Sequence, residues 1–490
     1  MKEKVVRASL VIIIINIMFI INPIISIAEI MDPSFMGNII IGDSDDNLWS
    51  ASALSKGVYL VVTSQSFGAS SYGKYSGSLW TIRLDYRGEI VWSRIYDIGI
   101  PAQYYDSASL ADDSLIVVGT SYNYKTGYIV KINSSGRVDW FYRVVPATRY
   151  YYEFLTGVAA GPDGNFVVIG SYFNMTTYRF DHQIIKMNPN GIILWYRDIP
   201  LSSYDILFGV DIFNNTVVAV SYSYNGPSTI YVINYSTGDL LKVRNYGDSN
   251  LKLYDVTANP SGIYAVGYLR IGSSYDGIIL KSDWNLTLQK AILINNTLSG
   301  NSIEWLMTIT TNNSYLFVGG YLNITTYNVS LVASFDQDLN LLWLTTFGQE
   351  DKDGYTYDII PNYATNILVT GSLQEASTGY DPYILQLRNG VFPQNCNLRV
   401  IRLNVNTTNI TITSSSVALS AYNGALDLTS QTYTVINTSG VSIFSLCGGR
   451  VGGRLIGIYV SDKVSQIRYL SPLIMLTVAF LIKIKSMKSS

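Results

Sequence analysis

The residues best suited to chemistry are acidic ones on a short segment, Asp43-Ser44-Asp45-Asp46-Asn47, where Asp43, Asp45 and Asn47 copy the opening of a calcium-binding loop. Hard cations take oxygen ligands, and three on alternate residues can converge on one ion. The rest of such a loop is missing: the sixth position, which calls for Gly, is Leu48, and the twelfth, which calls for Glu, is Leu54. The trio is therefore a calcium candidate of low affinity, set beside the plainer reading of a solvated turn between strands. A second acidic turn, Glu350-Asp351-Lys352-Asp353-Gly354, falls in the corresponding place of a later repeat, which favours a recurrent loop type.

Other catalytic patterns are sparse. The chain has one histidine, His182, so no multi-histidine metal site can form within it. A Ser-His-Asp triad would have to use His182, and no Gly-x-Ser-x-Gly elbow accompanies it. His182 is read as a solvated strand end. Glycines occur singly, as structural punctuation, without a phosphate-cradling loop. A carboxylate pair assembled from distant segments leaves no local signature, so a glycan hydrolase or lyase stays open as an alternative. Its mark would be two or more carboxylates converging in a central funnel with raised pKa values. No catalytic residue, cofactor-binding residue or cofactor is assigned. Charged residues are 14% of the chain and the formal charge is −2, which excludes the basic footprint of a nucleic-acid binder.

The elements that would position any site are repeats. Seven apolar runs end in a small residue, at Ser64, Gly119, Gly170, Ser221, Gly267, Gly320 and Gly371, 46 to 55 residues apart. A period near 50 signals a β-propeller or a similar array. Each copy reads as a β-branched strand, a turn, a second strand and a turn leading to a third strand. The last turn carries Gly88 with Trp92, Gly136 with Trp140 and Gly191 with Trp195. The pattern decays to Gly238 with Lys242, then Leu286 and Leu288, then Trp343 alone. Gly permits a positive φ there, and Trp supplies apolar area to wedge between neighbouring blades. The seventh copy stops at Gly390 without its third strand, and Gly37-Asn38-Ile39-Ile40-Ile41 near the start has the missing strand's character. An N-terminal strand that completes the last blade would close a seven-bladed ring and protect its sheet edges.

This repeat resembles those of secreted bacterial and archaeal β-propeller proteins of cell-surface type, the broad group with PQQ-like and related propellers. The likeness is carried by Leu84-Asp85-Tyr86-Arg87-Gly88 with Trp92, Lys131-Ile132-Asn133-Ser134-Ser135-Gly136 with Trp140, and Lys186-Met187-Asn188-Pro189-Asn190-Gly191 with Trp195. It implies architecture over about residues 36–390. Quinoprotein dehydrogenases of that group have eight blades and a catalytic Asp with no counterpart placed here, so the resemblance implies no quinone cofactor.

The flanks read as export and anchoring signals. Lys2, Lys4 and Arg7 precede an apolar stretch, and Ser26-Ile27-Ala28 ends it, the layout of a signal peptide over 1–28; an uncleaved anchor is the alternative. Residues 391–465 alternate in polarity and are expected to form a small β-sandwich-like stalk module. Such a short module has a marginal core. A disulfide between Cys396 and Cys447, the only cysteines, would stabilise it by roughly 4 kcal/mol in the chain-entropy view. Residues 466–485 are expected to be a transmembrane helix, followed by a cytoplasmic tail over 486–490 that carries Lys488. Twelve glycosylation sequons start at Asn133, Asn174, Asn214, Asn234, Asn285, Asn295, Asn312, Asn323, Asn328, Asn406, Asn409 and Asn437. Sparse charge and 39 tyrosines suit an exterior acidic enough to neutralise surface carboxylates.

The expected whole is all-β: a glycosylated seven-bladed propeller, single-pass in the cell membrane with a large extracellular domain. It is expected to bind protein or glycan at the cell surface.

Overall fold

The computed structural model describes residues 37–445 apart from 42–43, 67–75, 123–125, 147–149, 202–203, 297–302, 313, 325, 363–365, 376–378, 394–398, 401–404, 418–425, 431–433 and 438–441. The signal segment, the membrane segment, Asp43, Cys396 and Cys447 lie outside the described residues. No helix among the described residues is long and apolar enough to cross a membrane.

Seven antiparallel sheets form, six of them built on four strands in sequence order and the seventh on three such strands and the N-terminal strand. Their innermost strands are Asp46–Leu54, Ala102–Ser109, Tyr150–Ala160, Asp205–Phe213, Leu251–Asn259, Glu304–Thr311 and Gly354–Pro361, which define blades 1 to 7. Each inner strand packs on the next, and the seventh returns to the first, so the chain is a closed seven-bladed propeller. The second strand of a blade is sandwiched on both faces by its neighbours, which explains the unbroken apolar runs: all eight residues of Gly57–Ser64 are buried.

Closure follows the expected route. Gly37–Ile41 pairs antiparallel with Gly379–Arg388, with Ile39 opposite Tyr383. Ile40 is fully buried against a cluster that joins Leu48, Val58 and Leu60 of blade 1 to Leu368 and Ile384 of blade 7. The N-terminal strand therefore completes the last sheet and also packs across the seam.

The repeated small residue has a steric cause. Gly267 pairs with Leu253, and a Cβ there would sit 1.8 Å from the carbonyl oxygen of Lys252. The equivalent glycines of blades 3, 6 and 7 face the carbonyls of Phe154, Trp305 and Tyr355 at 2.0 Å or less. In blade 1 the residue in that register is Val62, opposite Leu48, so Ser64 lies two residues past the equivalent position.

The Gly-Trp pairs join neighbouring blades. Gly136 adopts φ +78° and lies against the Trp92 ring of the preceding blade, and Trp92 Nε1 donates to Ser134 O at 3.0 Å. Trp140 and Trp195 donate likewise to Pro189 O and Tyr235 O, each at 3.1 Å. Where the motif decays the contact survives: Lys242 Nζ donates to Trp284 O at 2.8 Å. Leu286 and Leu339 hold the turn at φ 62° and 57° in place of glycine.

The C-terminal segment departs from expectation. Its six described strands do not pair with one another as a β-sandwich would require. Each runs antiparallel to the outermost strand of a blade: Arg399–Val400 on blade 6, Val405–Asn409 on blade 5, Ser414–Ser416 on blade 4, Leu426–Ser430 on blade 2, Thr434–Asn437 on blade 1 and Ser442–Ser445 on blade 7. On blade 7 the partner is the closing strand itself, with Ile39 opposite Phe444. The physical reason is that a propeller presents an unpaired edge at every outer strand, and a segment too short for its own core gains more by covering those edges. The tail is a belt that visits the blades against their order.

Closure and belt make separable contributions to stability. Deleting residues 36–42 should lower the melting temperature markedly, because blade 7 loses its outer strand and the seam loses Ile40; an unchanged melting temperature would contradict this. A chain ending at Pro393 should keep the β-sheet circular-dichroism spectrum and melt at lower temperature. Failure to fold would mean that the belt, and not the N-terminal strand, closes the ring.

Candidate functional site

Each inner strand slips register against its neighbour at one equivalent point, between Leu48/Ser50, Tyr104/Asp106, Leu155/Gly157, Leu207/Val210, Leu253/Asp255, Leu306/Thr308 and Thr356/Asp358. A bulge re-aims the side chains beside it. Here it turns two tiers toward the axis. The first is Trp49, Tyr105, Thr156, Phe208, Tyr254, Met307 and Tyr357; just beneath it, Asp106, Gly209, Asp255, Thr308 and Asp358 also line one cavity of about 140 Å³.

Aromatic rings make the walls. Trp49 lies 5.0 Å from Tyr357 and 6.1 Å from Tyr105, centroid to centroid, and Phe208 lies 5.4 Å from Tyr254. The lining continues outward, Tyr357 stacking on Tyr355 at 5.7 Å and Tyr254 on Trp305 at 6.1 Å. Blade 4 supplies the room: a Cβ on Gly209 would lie 2.7 Å from Asp255 Oδ1.

Three carboxyl groups share the lower tier. Each ties its blade to the next through backbone N–H donors: Val158 N to Asp106 Oδ2, Ile309 N to Asp255 Oδ2 and Ala51 N to Asp358 Oδ2, all 2.8 Å. The other oxygen of each accepts the following residue's own amide at 2.7–2.8 Å. Ser50 Oγ lies 3.1 Å from Asp106 Oδ1 and 3.3 Å from Asp358 Oδ2, so its single proton serves one carboxyl at a time. The three are deep in the protein, yet each keeps part of its surface on the channel.

Burial pushes Asp106 up to about 7, the Asp358 charge adding to it, against the lowering pull of the amides. Burial likewise raises Asp358 to about 6 and holds Asp255 well above the usual carboxylate range. Asp211 of blade 4, one pleat further along, accepts Ala258 N at 2.9 Å in the same blade-to-blade manner, and burial raises it too. Glu153, fully buried with Gln183 Nε2 donating to it at 3.1 Å, rises to about 8 through burial.

His182 is not a solvated strand end. It is fully buried between blades 3 and 4, edge-on to Tyr231 at 5.4 Å, and burial drives it down to about 3. A strand-centre position between two blades buries whatever residue stands there, which the local sequence does not reveal.

Asp45 and Asn47 of the calcium candidate lie at the start of blade 1. Asp45 Oδ1 accepts Tyr380 N at 3.0 Å, and Asp353 of the second acidic turn accepts Asn328 N at 2.8 Å, the same link between adjacent blades. No group of three metal-ligating side chains forms among the described residues. Of the sequon asparagines with described side chains, Asn133, Asn174, Asn214, Asn234, Asn285, Asn295, Asn312, Asn323, Asn328 and Asn409, none is buried.

The cavity aspartates come from three blades and were missed as a set. A signal was available: Tyr105-Asp106, Tyr254-Asp255 and Tyr357-Asp358 repeat one dipeptide at 12 or 13 residues before Gly119, Gly267 and Gly371.

No protein-family model matches the chain, and no curated protein matches it. Similar solved structures include the quinohemoprotein alcohol dehydrogenase ADHIIG of Pseudomonas putida HK5, at 11% identity and TM-score 0.38, covering 72% of this chain and 78% of that one. The quinohemoprotein alcohol dehydrogenase of Comamonas testosteroni has 11% identity and TM-score 0.39, covering 72% and 69%. Sqt1 of Chaetomium thermophilum has 8% identity and TM-score 0.37, covering 71% and 99%.

The shifted groups fix a pH dependence. A carboxyl raised on folding contributes stability that is full below its unfolded pKa, about 4, and lost as pH rises through its folded value. For Asp358, Asp106 and Glu153 that window runs to about 6, 7 and 8. His182, lowered to about 3, works the other way and costs stability as pH falls below about 6.5. The carboxyls outnumber it, so the guanidinium midpoint should be higher at pH 5 than at pH 8. A higher midpoint at pH 8 would contradict the burial of these groups.

Proposed function

We propose that the chain is an exported, membrane-anchored propeller that works as a cell-surface binding scaffold for a protein or glycan ligand, seated in the axial cavity. The observation that carries this reading is the cavity itself, walled by Trp49, Tyr105, Phe208, Tyr254 and Tyr357 and floored by carboxyls and hydroxyls. Ligand pockets pair apolar, mostly aromatic walls with a few fixed polar groups in this way. Tyr and Trp supply contact area at low entropic cost. Asp106 Oδ2 and both oxygens of Asp255 each hold one backbone N–H and keep a second lone pair for a ligand donor. Export and anchoring rest on the sequence signals over 1–28 and 466–485, and the accessible sequons accord with a glycosylated exterior.

A second reading, a carboxylate-dependent glycan hydrolase or lyase, is favoured by one observation. Asp106 and Asp358 face a common hydroxyl, Ser50, with pKa values pushed to about 7 and about 6, so near neutral pH one can hold a proton while the other is ionised.

A screen of the full-length protein against envelope fractions and a polysaccharide panel, scored for binding and for new reducing ends, separates the two. The scaffold reading expects saturable binding without turnover, weakened at least tenfold by Trp49→Ala and by Tyr254→Ala. Binding indifferent to both substitutions would move the site away from the axis, and turnover abolished by Asp358→Asn would establish the hydrolase.

A further inference from the structure

We infer that the group seated in the axial cavity is an organic ammonium, either the basic side chain of a protein partner or a free alkylamine. This rests on the cavity being the binding site. Its sign of charge is one-sided: the described lining includes Asp106, Asp255 and Asp358 and contains no Lys, Arg or His. None of the ion pairs among the described residues involves any of the three. Their partners are neutral dipoles, the amides of Ala51, Val158 and Ile309 from the next blade, the amides of Ser107, Val256 and Ile359 from their own strands, and the hydroxyls of Ser50 and Thr308. Tyr105, Tyr254 and Tyr357 are the other titratable groups that line the cavity, and none supplies a cation. Like charges brought together in a poorly solvated site repel, and a cation among them relieves that repulsion.

The walls select the same chemistry. Ring faces carry negative potential and attract an ammonium within about 6 Å, most strongly where water is excluded. Trp49 with Tyr105 and Tyr357, and Phe208 with Tyr254, cluster as rings along the same cavity that the carboxyls line. A cation among aromatic rings with acceptors beneath it satisfies both tiers at once. A phosphate, uronate or carboxylate ligand would meet only like charge, and a neutral sugar would leave the carboxyl repulsion in place.

The test is calorimetric titration of the full-length protein with n-butylammonium, spermidine and an acetylated Ala-Lys-Ala amide, with methyl glucoside and acetate as neutral and anionic comparisons. The ammonium probes should bind and acetate should not. Affinity should rise at least tenfold from pH 4.5 to pH 8, and near pH 6.5 binding should release protons, read from two buffers of different ionisation heat. Asp255→Asn should weaken binding at least tenfold and flatten the pH profile. The wild-type proton release keeps the test decisive should that variant misfold. Tighter binding of the lysine peptide than of spermidine assigns the ammonium to a protein partner, and the reverse order to a free polyamine. If no ammonium probe binds while a glycan does, and Trp49→Ala abolishes that binding, the ammonium is overturned and the scaffold stands. If nothing engages the cavity, both fall.

Discussion

Seven radial sheets meet at an axis where each inner strand has no further strand to pair with. The structure depends on how those exposed amides are satisfied. In a closed propeller the outer edges can be covered by added chain, but the axial edges face one another. Blades 2, 5 and 7 solve this with a carboxylate. Asp106, Asp255 and Asp358 each take one amide from their own strand and one from the next blade. Asp211 does the same one pleat away. A side-chain acceptor at a bulge thus acts as the link that sheet hydrogen bonds cannot provide.

That solution has an electrostatic consequence. Carboxyls drawn to the axis to hold blades together lose water and approach one another, so their charged forms are disfavoured. The bulge that aims them also turns a ring of aromatic side chains inward. Strut and cavity wall are therefore made by adjacent residues in the same strand. The belt of C-terminal strands plays the corresponding part at the rim, where edges are covered by backbone pairing alone.

Much of the architecture was legible in sequence because its causes are local. The glycine at the end of a buried strand answers a carbonyl that a Cβ would meet within 3 Å in blades 2, 3, 5, 6 and 7, and the Gly-Trp pair answers a contact with the next turn, so both recur in enough blades to show the period, although blade 1 carries Val62 in the glycine register. The N-terminal closure was legible because blade 7 lacked a strand that Gly37–Ile41 could supply. The belt was not, since alternation in 391–445 says that strands form and says nothing of their partners. His182 was misjudged for the same reason: its burial is decided by blade 4, not by its own strand. The axial aspartates fall between these cases. Their Tyr-Asp dipeptide repeats in register with the glycines, but only the bulge makes that register point inward.

The most direct measurement is a carbon-13 NMR titration of the aspartate side-chain carboxyls in the full-length protein. The account predicts two aspartates titrating near 6 and near 7, belonging to Asp358 and Asp106, and removed in turn by Asp358→Asn and Asp106→Asn. If every aspartate titrates below about 4.5, near the ordinary value, the carboxyls are well hydrated. The desolvated, mutually repelling cluster at the axis would then be contradicted.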